Sequence, residues 1–413
     1  MAPGPRDVHV GRDDDGTVRV AGPAAGPDFT RAVLDVAGAV LTWNVLGDPA
    51  PPVAEIHDPA RAQQWLWAIY GERTAAAVHA CAAGESVAVR VPADMTALAG
   101  GAARLGLGHW AARWWPASHL DGIPALEPNV LGLELAALTH ECQQLFDDGG
   151  DQPDDCVAEL IEVHQVALDQ LVEWWHATSP STDTARHLES VLWSVDDAAD
   201  SAGLDGQALR RLRSSLDRPR RDGAPVDLAS LFVRHRDYAL AAGEPLVAGG
   251  RLIARGAGTN DWRRYPPGFV DASETAVSWT ARALGARRQI EVEVVAHLAA
   301  PVAGALLVAE VGVDGGLPSR VPLARRDDVW SGRADLELPA GETQPRIEIG
   351  LLLPGFDPGP GPEGAADRDA IRALVRRRLA TAAQPFAYNT STYEGTSGPF
   401  LAEIAATTAD EDY

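Results

Sequence analysis

"PNVLGLELAALTHECQQL", Pro128 to Leu145, is the stretch from which the fold can be read. Leu131, Leu135, Leu138, Cys142 and Leu145 recur at spacings of 4, 3, 4 and 3, which places them on one apolar stripe of a helix. Pro128 suits the first turn of that helix, and Gly149-Gly150 suits its end. "DQP" at Asp151 to Pro153 starts the next helix. There Leu160, His164, Ala167, Leu171 and Trp174 repeat the 4-3-4-3 spacing until Pro180 stops it. Leu188, Val191, Leu192, Val195 and Ala199 mark a third helix. Leu209, Leu212 and Leu216 mark a fourth, with Asp205 as its expected cap, and a fifth is expected from Asp227. Short connections between helices predict an antiparallel bundle.

On either side of this helical middle the pattern changes. Upstream, "VHVGRDDDGTVRVAG" alternates around an Asp-Gly turn and reads as a hairpin. Asp58-Pro59 opens a helix carrying Trp65, Leu66, Ile69 and Tyr70, expected to run to about Gly84. "SVAVRV" is a short strand. Asp94 is positioned to cap another helix, which Gly100-Gly101 is expected to break. Downstream of Gly249-Gly250 the period falls to 2. Val277, Trp279, Ala281 and Ala283 alternate, as do Ile290, Val292 and Val294, and "LLVAEVGV", "VWSGRADLEL" and "RIEIGLLL" continue the pattern. Strands at this spacing predict a β-sandwich. "PGFDPGPGPEG" is a turn-rich linker, and an arginine-heavy helix follows from Asp367 to Ala383.

The expected fold class is therefore multidomain α+β. It comprises an N-terminal α/β region (1–122), an acidic antiparallel helical bundle (123–245), a β-sandwich (246–356), a linker with the Arg-rich helix (357–383) and a flexible C-terminal tail (384–413).

The chain has 413 residues and a formal net charge of −23. All 35 of its basic residues are arginine. The missing lysine excludes a P-loop NTPase and a protein kinase, which use a lysine on phosphate. It also excludes Schiff-base and pyridoxal phosphate chemistry. Between Glu141 and Asp205 there are 16 acidic residues against Arg186 alone. Such a surface repels phosphate backbones, so general nucleic-acid binding is not expected. "RRLRSSLDRPRR", beginning at Arg210, is expected to pair with the acidic helices. No membrane span and no signal peptide are expected. Cys81, Cys142 and Cys156, an odd set in a long chain, favour a reducing cytoplasm.

No catalytic constellation emerges, and neither a cofactor nor a metal is expected. His79-x-Cys81 and His140-x-Cys142 pair good ligands, with Cys156 and His164 nearby. Residues two apart on a helix nevertheless diverge. Ser118, His119 and Asp121 match a triad by composition, but near neighbours cannot adopt its geometry. The alternative reading is a metal- or acid/base-dependent hydrolase using His109, His119, Asp121, His140 and Glu141. A third is a carbohydrate- or small-ligand-binding sandwich, for which Trp262, Tyr265, Trp279 and Trp330 are the stacking candidates. For contacts with a partner protein, the tail offers Phe386, Tyr388, Tyr393, Phe400, Leu401 and Ile404. "GHWAARWWPASHLDG", Gly108 to Gly122, reads as a helix end packed between regions, its indoles buried and seeking hydrogen-bond partners in the following turn.

Two stretches, "ARWWPASHLDGIPALEPNVLGLELAALTHEC" and "LLLPGFDPGPGPEGAADRDAIRALVRRRLA", resemble actinobacterial accessory proteins. Those accompany ATPase and von Willebrand factor-type proteins in multi-gene conflict systems. The resemblance covers about 60 of the 413 residues and carries no functional residue over. It implies an accessory part working beside an NTPase encoded nearby. The lack of a catalytic constellation, together with separate surface features suited to contacts, points to a non-catalytic adaptor with protein partners in a cytoplasmic, defence-related system.

Overall fold

The structure is a computed structural model that describes residues 6–21, 26–47, 50–81, 87–91, 96–146, 153–218, 231, 250–297, 300, 306–336, 345–356, 364–384 and 398–408. Over these residues the chain is mixed α+β with three antiparallel sheets.

The first sheet contains β1 (Arg6–Arg12), β2 (Val18–Val20), β3 (Arg31–Val36), β4 (Ala39–Asn44), β5 (Val53–Ile56) and β6 (Val87–Val91), in the order β3-β4-β5-β2-β1-β6. The predicted hairpin is β1–β2, with Val10 opposite Val20. Every neighbouring pair in this sheet is antiparallel. The N-terminal region expected as α/β is thus α+β in its wiring. Part of the reason is local: tight turns join β1 to β2 and β3 to β4, where a parallel pair would need a crossover helix. In the β3–β4 turn Gly38 has φ of +72°, and an added Cβ would lie 2.4 Å from the carbonyl oxygen of Asp58.

Asp58 caps α1 (Pro59–Tyr70), accepting from the N–H groups of Ala60 and Arg61. The helix expected to reach Gly84 breaks at Gly71, where φ is +83°, and α2 (Glu72–Ala80) follows. Conversely, α3 (Ala97–Trp114) runs straight through Gly100-Gly101. Its cap is Thr96, and Asp94 lies outside the described residues. The glycines are places of close approach. A Cβ on Gly101 would lie 3.0 Å from Cys142 Sγ, one on Gly106 3.2 Å from the Trp43 ring, and one on Gly108 2.4 Å from a Leu135 methyl. Packing against β4 and α4 (Pro128–Glu141) compensates for the low helix propensity of these glycines.

In α4, the ten residues from Val130 to Thr139 are all buried. The single stripe expected from the spacing is one side of a helix enclosed on every side. It packs against α3, α5 (Pro153–His164), α7 (Asp183–Ser201) and the C-terminal helix Leu401–Thr408. It ends at Glu141, short of Gly149-Gly150. The second predicted helix is split by a 3₁₀ turn, Gln165–Ala167, into α5 and α6 (Leu168–Ala177). The fourth is α8 (Gln207–Leu216). Its cap is Gly206, and Asp205 pairs with Arg210. As expected, the arginines of α8 meet the acidic helices: Arg211 pairs with Asp169, and Arg213 with Asp196 and Asp200. The helix expected from Asp227 lies outside the described residues.

Downstream, β7 (Arg251–Ala257), β8 (Val277–Leu284), β9 (Arg287–Val295), β12 (Ala324–Arg326) and β13 (Val329–Asp335) form a sheet in the order β12-β13-β9-β8-β7. A three-stranded sheet, β11-β10-β14, combines β10 (Val308–Val313), β11 (Ser319–Pro322) and β14 (Ile347–Leu352). Val277, Trp279 and Ala281 are buried in alternation, as the period-2 pattern predicts. A bridge between Thr259 and Gly350 links the chain beside β7 to β14.

The Arg-rich helix runs from Ala365 to Ala382. The expected flexible tail is corrected for the residues beyond it that are described. Phe400 and Leu401 are 0% exposed and Ile404 is 7% exposed. Their apolar turn is satisfied within the chain, against α4, α7 and the Arg-rich helix. Buried hydrophobic residues from all these regions join in one contiguous core.

Close packing yields a test. Gly108→Ala should raise helix propensity by about 1 kcal/mol. Because Leu135 and Phe400 enclose the new methyl, we expect a net loss of about 1–3 kcal/mol in urea unfolding. An unchanged or raised midpoint would show that α3 has room to spare.

Candidate functional site

Where α3 ends, aromatic residues gather. Trp110 is buried and its Nε1–H donates to the Phe29 carbonyl at 2.8 Å. Trp115, the C-cap, donates to the Pro124 carbonyl at 2.8 Å. Trp114 is half-buried, and the Arg113 guanidinium lies 3.8 Å over its ring. Burial draws the Arg113 guanidinium down from its ordinary value, and Asp28 opposes that. Phe29 meets Trp114 edge-on at 6.3 Å and Trp262 edge-on at 5.5 Å. Together with Tyr265 and His297, the residues Arg113, Trp114, Trp115 and Trp262 line a cleft between the end of α3 and the chain leading into β8. Trp262 is 6% exposed, and its enclosed Nε1–H has no hydrogen-bond partner among the described residues. An unpaired buried donor of this kind costs roughly 1–3 kcal/mol.

Below the cleft, polar groups join the regions. Buried Asp271 accepts from Ser118 Oγ, from the His119 N–H at 2.7 Å and from the Ser273 N–H. Asn260 holds the carbonyls of Asp271 and Ser273, and Tyr265 donates to Asn260. From the Arg-rich helix, Arg368 reaches Glu274 with two nitrogens, at 2.5 and 3.0 Å. Arg372 reaches Glu274 and the Ala272 carbonyl, and lies 3.8 Å from Asp121.

A second cluster sits at the middle of α4. Glu134 is 1% exposed. Its Oε1 accepts from Arg104 at 2.7 Å and lies 2.9 Å from His187 Nε2, while its Oε2 accepts from the Leu401 N–H at 2.7 Å. Burial alone would raise this carboxyl. The charges and hydrogen bonds of His187 and Arg104 overcome burial and hold it at about 2. The apolar spacing of α4 does not single out Glu134. The available signal was one acid inside the apolar run "VLGLELAAL", and Glu403 in "FLAEIAA" carries the same signal.

The structure divides the alternative hydrolase set by partner. His109 lies within α3, where burial lowers its imidazole toward the neutral form. His119 and Asp121 lie on the turn between Ser118 and Ile123, held by Asp271 and faced by Arg372 and Arg376. His140 and Glu141, at the end of α4, contact Asp197 and Ser194 of α7. Cys81 and Cys142 are buried and Cys156 is exposed. Burial and the neighbouring Glu141 push the Cys142 thiol up to about 12. His164 faces Asn129 Oδ1 at 3.2 Å. Among the described residues no three His, Cys, Asp or Glu side chains are grouped to hold a metal ion. Nor is any helix there long and apolar enough to cross a membrane.

Of the stacking candidates, Trp279 and Trp330 are buried and donate to the Ala257 and Phe269 carbonyls, so their faces belong to the core. Of the partner-contact candidates, Phe400, Leu401 and Ile404 are buried within the chain, and Phe386, Tyr388 and Tyr393 lie outside the described residues. No protein family, curated protein or solved structure matches this chain.

The depressed Glu134 carboxyl makes a pH prediction. Its ordinary value is 4.5 and its folded value about 2. The stabilisation is therefore complete above pH 4.5 and drains away as pH falls toward 2, by about 3 kcal/mol in total. Urea midpoints at pH 7 and pH 3 should fall further for the wild type than for Glu134→Gln. Equal acid sensitivity in the two proteins would refute the assignment.

Proposed function

We propose that this chain is a non-catalytic adaptor whose aromatic cleft receives a segment of a partner protein. The observation that carries this reading is a cleft built from Trp, Tyr and Arg side chains, with Trp262 in its wall. Tryptophan, tyrosine and arginine are the residues that dominate protein–protein hot spots. An apolar side chain of the partner would lie against the half-buried Trp114 and Trp115. The cleft sits where the N-terminal region meets the strands, so a partner there would contact both.

The wider layout supports the same role. We read α4 to α8 as an antiparallel bundle and the two C-terminal sheets as a β-sandwich. On α7, Trp193 is 48% exposed and shares its outward face with Asp197 and Asp200. That face suits a basic surface on a second partner. The working context is a cytoplasmic multi-protein system, with an NTPase among the partners.

Trp262→Phe tests the reading. The variant loses some buried area and also loses an unsatisfied donor. Its Tm should therefore stay within about 5 °C of the wild type. Affinity purification from the native host should recover a partner with the wild type and lose it with the variant. Full recovery by a folded Trp262→Phe protein would remove the cleft from the interface.

A further inference from the structure

The segment Gly398–Thr408 is held in the way a receptor holds a short peptide. Its groove is formed by α3, α4, α7 and the Arg-rich helix. Arg104 donates to the Gly398 carbonyl at 2.9 Å and to the Pro399 carbonyl at 3.1 Å. Glu134 takes the Leu401 N–H. Arg378 grips Glu403 with two nitrogens, at 2.6 and 2.7 Å. Phe400 is 0% exposed, with the guanidinium carbons of Arg104 and Arg378 at 4.7 and 5.5 Å from its ring centroid.

Three kinds of recognition are combined here. Backbone groups are read before the helix begins, one carboxylate is read by a planar fork, and one aromatic ring fills a pocket between cations. The segment is also pre-organised, because Glu403 Oε2 accepts the Phe400 N–H at 2.7 Å and closes the first turn on itself. In sequence, the occupant and groove are far apart: 267 positions separate Leu401 from Glu134. The covalent tether from Gln384 to Gly398 can span at most about 50 Å, long enough to reach a neighbouring molecule.

We propose that this groove is a peptide-binding site for the motif Gly-Pro-Phe-Leu-x-Glu-Ile, filled here by the chain's own residues 398–408 and able to accept the same segment from a second copy. The inference does not rest on the aromatic cleft, which uses different residues. In the wild type the tethered segment holds the groove at an effective concentration on the order of millimolar, so a free peptide competes poorly. Weakening the resident segment opens the groove to an intact one.

The test titrates a fluorescein-labelled peptide of residues 396–413 into full-length proteins and reads anisotropy. In Glu403→Gln the resident segment loses its fork to Arg378, while the peptide retains its own glutamate. We expect this variant to bind the peptide at least tenfold more tightly than the wild type. Adding Arg378→Ala to it should return binding to the level of a scrambled peptide. If Glu403→Gln fails to fold by circular dichroism, Phe400→Leu takes its place under the same criterion. A folded variant that binds the peptide no better than the wild type, or as well with Arg378→Ala as without it, would overturn the proposal.

Discussion

A carboxylate buried at the centre of a helix with no exposed face sets the terms for the rest of this structure. Charging a group in such a place costs several kcal/mol unless its oxygens are fully engaged. Glu134 is engaged by one contact from each of three other elements: Arg104 of α3, His187 of α7 and the first N–H of the C-terminal helix. Each contact fixes an element against α4. Because α4 also packs on α5, the same ion couples the acidic helices to the chain terminus. The apolar core supplies most of the burial, while the carboxylate ties α3, α7 and the C-terminal helix to the middle of α4.

The Arg-rich helix extends this logic to the strands. Arg368, Arg372 and Arg376 follow one another at spacings of four and face Glu274 and Asp121, while Arg378 turns to Glu403. One helix thereby joins the turn after α3, the chain before β8 and the terminal segment. These contacts depend on arginine in particular. Arg368 and Arg378 each present two nitrogens to two carboxylate oxygens, a geometry that an ammonium group cannot offer. The absence of lysine is matched inside the fold by forked ion pairs at two of these junctions, Arg368–Glu274 and Arg378–Glu403.

Much of the element pattern was legible before the structure, and the reasons differ by element. Period-2 alternation at Val277, Trp279 and Ala281 fixed a strand because each apolar inward side chain is separated by a more polar outward one. Asp58-Pro59 fixed a helix start because its capping chemistry is local. Gly100-Gly101 misled because glycine reports two things, flexibility and closeness, and only the neighbouring Cys142 decides between them. The tail misled in a similar way. An apolar turn of a few residues after a polar stretch looks unpartnered until its groove is assembled from helices far away in sequence. Glu134 and Glu403 were passed over because a single acid does not disturb an apolar period. Their roles depend on Arg104 and Arg378, whose arrival no spacing rule can announce.

By itself, then, the sequence determined the kinds of element, the approximate order of a strand-rich start, a helical middle and a strand-rich end, the charge of each part, and the chemistries ruled out by the missing lysine. These follow from side-chain periodicity, capping and composition, which act over a few residues. Only the tertiary structure decided that α4 is enclosed on all sides, that the terminal segment is docked, and that Trp114, Trp115, Trp262 and Tyr265 share a cleft. It also decided where each buried charge finds its partner. Those outcomes depend on desolvation, and a charge or an indole is desolvated only by residues brought to it from elsewhere in the chain.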